Sequence, residues 1–203
     1  MDREAKSNQE KEQRILDAAQ KLFARYGPKK TSIDEIAQNA GMGKGTIYLY
    51  FRSKEDIFAG VVRRFGEGMM LTVRAAVGSQ TTAEAQLHNL ILARLRYVDE
   101  TIKQDAIPRE VLLEFQDSVN STALAPVIRV FAEQQIRLLR DIIETGMREE
   151  NFETVDPDVT ALAIYAVLES AGKPWACDGL TMTLESKVQT LVDLFLRGLL
   201  KRP

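Results

Sequence analysis

Between positions 44 and 54 the chain places Lys44, Thr46, Tyr48, Tyr50 and Lys54, two amines, one hydroxyl and two phenols, with no acid between them. Every one of these side chains can donate a hydrogen bond. A groove lined by phosphates and base-edge acceptors suits such a set. Lys44 can donate to guanine O6 and N7 or to phosphate, and Thr46 can bond phosphate or pack its methyl on thymine. Gly45 has no side chain to hold the backbone away from a groove floor. Lys54 falls in the first turn of the following helix, where backbone N–H groups and the helix dipole also favour an anion. Catalytic chemistry is not legible. The chain has no nucleophile elbow, phosphate-binding loop, HExxH motif or acid pair. It therefore reads as a protein that is not an enzyme and needs no cofactor. His88 is the only histidine and lacks a clear carboxylate cluster, so no metal site is read. Cys177, the only cysteine, excludes an intramolecular disulfide and reads as a bland loop residue.

These groups need a scaffold, and the stretch TSIDEIAQNAGMGKGTIYLYFRSK supplies one. Ser32 and Glu35 form a capping box at the start of a helix whose apolar face is Ile33, Ile36 and Ala37. Gly41 is placed to end that helix in a left-handed conformation. A second helix, about Lys44 to Tyr50, is expected to bury Ile47 and part of Tyr48 and to turn Lys44, Thr46 and Tyr50 outward. The result is a helix-turn-helix. Upstream, Ser7 and Glu10 suggest a cap for a helix from Asn8 to Tyr26, with Ile15, Leu16, Ala19, Leu22, Phe23 and Tyr26 inward, ended by Gly27-Pro28. Downstream, Ser53 with Asp56 caps a helix reaching about Val77. Gly66 and Gly68 in its middle imply a kink or the close approach of another helix.

Helical periodicity continues over 82–103, from Pro108 to Phe115, from Ala125 to about 148, from Pro157 behind the capping Asp156 to Ala171, and over Leu184–Leu200. No segment alternates with period two. The expectation is an all-α chain of about nine helices. Residues 1–54 make a three-helix DNA-binding head, and residues 55–203 a helical-bundle body for ligand binding and dimerisation.

Net charge is −2, but residues 1–54 carry 11 Lys or Arg against 7 Asp or Glu, while 55–203 carry 16 against 22. A basic first quarter on an acidic body fits a DNA-reading head joined to a body with another task. The polar, charged start is unlike a secretory signal, and no apolar run reaches the ~20 residues that span a bilayer. A cytoplasmic location without a membrane partner is expected.

The segment from Arg14 to Phe58 resembles the DNA-binding domain of TetR-family transcriptional regulators, through RILDAAQKLFARYG, TSIDEIAQNAG and KGTIYLYFRSKEDIF. The resemblance implies a homodimer on a roughly palindromic operator, usually a repressor, released by a small molecule held in the C-terminal domain. By position it implies that Lys44 and Gly45 reach base edges. Thr46, Tyr48, Tyr50 and Lys54 would make backbone or base contacts, Ser32 would be a phosphate-contacting cap, and Phe51 would be a packing residue. Gly43 departs from the Ser or Thr common at that position. Glycine still caps a helix, but brings no hydroxyl to phosphate.

In the body, the last helix is apolar on more than one face and the helix before it is rich in small residues. Together they are expected to form a two-fold, four-helix interface through Ala163, Ala166, Ser170, Leu191, Phe195 and Leu199. The candidate lining of a site for a hydrophobic effector is Met69, His88, Leu92, Tyr97, Phe115, Phe131, Tyr165 and Trp175, the apolar and aromatic residues of the middle of the chain. Of Arg94 and Arg96, at most one can face inward to meet an acidic ligand. Two other readings compete. One is a DNA-associated protein that presents its body to a protein partner. The other is a helical carrier or enzyme with a vestigial head, which the intact basic head disfavours.

Overall fold

The computed structural model describes residues 2–103, 123–171 and 183–200. Among them the chain forms eight helices: α1 (Asp2–Tyr26), α2 (Ile33–Ala40), α3 (Lys44–Tyr50), α4 (Lys54–Gly78), α5 (Ala83–Lys103), α6 (Ala125–Arg148), α7 (Pro157–Ala171) and α8 (Leu184–Leu199). The described residues contain no strand, and the isolated antiparallel bridge between Phe152 and Leu200 does not extend into one. The short helix expected from Pro108 to Phe115 and the loop with Trp175 and Cys177 lie outside the described residues. The all-α expectation holds. The residues group into two compact units, Met1–Phe65 with Thr101–Ile128, and Gly66–Glu100 with Arg129–Pro203.

The first unit packs the inward stripe of α1 (Ile15, Leu16, Ala19, Phe23) against Ile36, Ala37 and Ala40 of α2, Ile47 of α3, Phe51, and Ile57, Phe58, Val61 and Val62 of α4. Tyr26, expected in that stripe, is instead 48% exposed at the end of the helix, with the Arg25 guanidinium over its ring. Phe23 and Phe58 meet edge to face, with ring centroids 5.5 Å apart. Such a contact adds about 0.5–1.5 kcal/mol beyond the area it buries. Helix α1 starts earlier than its sequence suggests, at Asp2 instead of Asn8, so Ser7 lies inside the helix and is not its cap. Arg3, Glu4, Ala5 and Lys6 of this stretch are strong helix formers, and propensity continues the helix past the capping signal.

The second unit gathers Val73 of α4, Leu87, Ile91 and Leu95 of α5, Leu139 and Ile143 of α6, Ile164 and Leu168 of α7, and Val192 and Leu196 of α8 around one apolar core. The two mid-helix glycines of α4 mark close approaches, as expected. A Cβ at Gly66 would run into the Phe131 ring, and one at Gly68 into the Tyr97 hydroxyl. Asp156 caps α7 as its sequence predicts, with Oδ1 accepting from the backbone N–H groups of Asp158 and Val159, each at 3.0 Å. Thr183 caps α8 by accepting from the Ser186 N–H at 3.2 Å. Beyond α6, the N–H of Glu153 donates to the Leu199 carbonyl at 2.6 Å.

Candidate nucleic-acid interface

The turn between α2 and α3 is fixed at both ends. At the start of α2, Ser32 Oγ accepts from the Glu35 N–H at 3.2 Å, and the Ser32 N–H donates to Glu35 Oε2 at 2.8 Å. This is the reciprocal capping box read from the sequence. The bond from the Ser32 backbone, and then that from its hydroxyl, hold the Glu35 carboxyl below its ordinary pKa. At the other end Gly41 is left-handed, with φ 65°, and its N–H turns back to the carbonyls of Ala37 and Gln38. Arg14 of α1 donates through Nη2 to the Ala40 carbonyl at 2.7 Å. A guanidinium there satisfies a free helix-end carbonyl and complements the negative end of the dipole. The path from α2 to α3 is thereby tied to α1 as well as to itself.

Helix α3 has seven residues and one buried anchor, Ile47. Phe51, just past its end, is also buried, as expected of a packing position. Lys44, Gly45 and Tyr48 are exposed, Thr46 is half-exposed, and Leu49 is the most exposed large apolar residue of the helix at 82%. The two tyrosines exchange the places expected for them. Tyr48 is 48% exposed, whereas Tyr50 is half-buried against the core and donates its hydroxyl to Asn8 Oδ1 at 3.1 Å. The early start of α1 is what puts Asn8 on a helix. Gly43 caps α3 with extended backbone and no side-chain bond.

The charged groups are already engaged. Lys44 Nζ donates to Asp34 Oδ2 at 2.9 Å, with both side chains in solvent. That hydrogen bond, and then the charge of Asp34, raise the ammonium's pKa, so Lys44 carries its full charge at neutral pH. Lys54, at the first position of α4, donates to the Lys29 carbonyl at 3.2 Å. Asp34 and Asn8 are the site residues that sequence reasoning missed. The first lies in the first turn of α2, two residues past the Ser32 cap, and meets a lysine ten positions away, an offset that no local pattern carries. The second lay at the margin of a helix assumed to begin there. The arrangement can form several donor contacts to an anionic groove from an exposed helix face.

In the second unit, Met69 is buried in the core, and His88, Leu92, Tyr97, Phe131 and Tyr165 are half-buried. Phe115 and Trp175 lie outside the described residues. Arg94 faces inward and Arg96 outward. On α7, Val159, Leu162, Ala163, Ala166, Val167 and Ser170 form one exposed stripe at helical spacing. On α8, Leu194 is 62% exposed between the half-buried Leu191 and Phe195, while Leu199 is buried in the core of its own unit. Among the described residues no cluster of three His, Cys, Asp or Glu could hold a metal, and no helix is long and apolar enough to cross a membrane.

Residues 15–61 match the family described as bacterial regulatory proteins, tetR family. The chain is 27% identical over 157 residues to the uncharacterized HTH-type transcriptional regulator YhgD of Bacillus subtilis (strain 168), covering 76% of this chain and 80% of that one. It is 26% identical over 187 residues to the HTH-type transcriptional repressor KstR2 of Rhodococcus jostii (strain RHA1), covering 91% and 89%. Its fold superimposes on that of the fatty acid degradation regulator FadR from Bacillus halodurans with a TM-score of 0.76 and 24% identity, over 93% of this chain and 95% of that one.

Proposed function

The chain belongs to the tetR family of bacterial regulatory proteins, and from that premise we propose that it is a cytoplasmic, dimeric repressor that leaves a palindromic operator when a small hydrophobic effector binds its body. The observation that carries the DNA-binding part is the outward face of α3, where Lys44, Thr46 and Tyr48 project from a helix whose one fully buried residue is Ile47. An exposed helix with donors and no acid is what enters a major groove. Residues 1–54 act as the reading head. The body, from residue 55, holds the effector and the dimer contact. Helix α4 contributes residues to both units and is the proposed route by which a change in the body reaches the head.

The dimer contact proposed here is the exposed stripe of α7 with the outer face of α8. Six residues from Val159 to Ser170 follow i, i+3, i+4 spacing with no charge among them. A monomer would leave this surface wet, whereas a two-fold partner covers it with its own copy. Two-fold pairing sets two copies of α3 on one DNA face, about 34–36 Å or a similar helical-turn spacing apart.

The test is a fluorescence anisotropy titration with DNA taken from upstream of the protein's own coding region, against scrambled DNA of equal length. A preference of about a thousandfold or more for a site with two related half-sites is expected. Equal binding to both DNAs would remove the proposal.

A further inference from the structure

Packing does not account for the buried charge of the second unit. Arg94 of α5 is only 4% exposed, on the same helix face as the buried Leu87, Ile91 and Leu95. Its Nε donates to Gln135 Oε1 at 2.5 Å, its Nη2 donates to Glu169 Oε1, and its guanidinium lies 5.7 Å from the centroid of the Tyr165 ring. Gln135 is itself buried, and its Nε2 donates to the Phe131 carbonyl at 3.3 Å, which fixes its amide oxygen toward Arg94. The remaining nitrogen, Nη1, is buried and has no acceptor among the described residues. Buried polar atoms are nearly always paired, and a guanidinium donor is among the most demanding of them. The counter-ion is held differently from the amide. The Glu169 side chain is 43% exposed, so it can turn to water if another anion replaces it.

Building on the reading of this unit as an effector-binding body, we propose that Arg94 anchors the carboxylate of an apolar effector, which pairs with Nη1 and Nη2 and displaces Glu169 into solvent. The exchange conserves charge around the guanidinium, because one carboxylate leaves as another arrives. It also completes the planar two-point pairing for which arginine is shaped, and which lysine cannot make. Gln135 keeps the guanidinium in its plane throughout. Tyr165 remains a neutral phenol, since burial, and then the charge of Glu169, push its hydroxyl up to about 12. It therefore offers Arg94 a ring face and no competing charge. The half-buried Tyr97, one turn along α5 from Arg94, and Phe131, one turn along α6 from Gln135, are candidates to receive the apolar tail. Glu169 stands on α7, so the exchange unties α7 from α5, and α7 is the helix that carries the proposed dimer stripe.

The test uses calorimetric titration of the full chain with octanoate, decanoate and dodecanoate, each beside its methyl ester and its alcohol. The wild type is expected to prefer at least one carboxylate over its alcohol by about tenfold. Glu169→Gln removes the competing anion and is expected to widen that preference about fivefold, and Arg94→Met to abolish it while alcohol binding persists. If Arg94→Met does not fold, as circular dichroism would show, the Glu169→Gln arm decides alone, since an exposed carboxylate is replaced by its isostere. Equal binding of acid and alcohol by the wild type and by Glu169→Gln would overturn the proposal and leave an apolar-effector body standing. Failure of both proteins to bind any of these compounds would overturn the hydrophobic-effector reading together with the proposal.

Discussion

Lys44, the proposed first contact with DNA, has its charge already shared in the free protein. Its ammonium sits on Asp34, two exposed groups in solvent, and an exposed pair of this kind is held weakly and screened by salt. A phosphate or a guanine edge can therefore take Lys44 from Asp34 at small cost. Lys44→Ala should weaken operator binding by about tenfold or more and reduce discrimination between operator and scrambled DNA, measured by anisotropy. Asp34→Asn should do the opposite to the encounter. It frees the ammonium and removes an anion near the phosphates, so binding to any DNA should tighten and depend more steeply on salt. At this scale the sequence was informative wherever a role follows from residue type and a local offset. Ser32 with Glu35 and Asp156 with Pro157 are such cases. It failed for Tyr48 and Tyr50, because in a helix of two turns the outward direction depends on what the neighbours supply. Asn8 and the core supply it for Tyr50.

The elements stand on a few local devices, and two of them can be tested by single substitutions. Gly41 is left-handed, and a Cβ there would also lie 3.1 Å from Arg14 Nη2, the group that holds the Ala40 carbonyl. Gly41→Ala should cost about 1–2 kcal/mol in chemical denaturation. In α4, Gly66→Ala would press on the Phe131 ring and should cost about 1–3 kcal/mol as overpacking, with the fold retained. The capping box of α2 adds a pH dependence with a defined sign. Glu35 has a lowered folded-state pKa, so its contribution is complete above the ordinary value of 4.5 and is lost as the pH falls through the lowered one. Glu35→Gln should therefore narrow the loss of thermal stability between about pH 5 and about pH 3 relative to the wild type. Helix positions were largely legible because caps, prolines and apolar periods are local. The start of α1 was not, since a good capping pair at Ser7 and Glu10 lies within a run of strong helix formers.

For the whole molecule, the exposed stripe on α7 predicts the state of association. Ala166→Glu would place a carboxylate in the middle of that stripe, at a position already exposed in the single chain. The variant should fold with unchanged helicity, sediment as a monomer, and lose most of its operator affinity, because each half-site alone is bound weakly. Sedimentation velocity and anisotropy check the two halves of this expectation. The site around Arg94 shows what a single sequence withholds. That at most one of Arg94 and Arg96 turns inward follows from helical spacing. That Arg94 would meet Gln135 and Glu169 depends on how α5, α6 and α7 pack, and no local pattern carries that information.

Helix α3 also sets a limit on portability. Seven residues make too few internal hydrogen bonds to repay the nucleation of a helix in water. Its shape is imposed from outside by Ile47 in the core, by the Gly41 turn that Arg14 secures, and by the bond from Tyr50 to Asn8. A synthetic peptide of this segment would be a coil. If α3 is the helix that enters the groove, as proposed, the smallest heritable unit of DNA specificity in this chain is therefore larger than α3 itself. Any exchange of operator preference with a relative has to move α1, α2 and the first turns of α4 along with it.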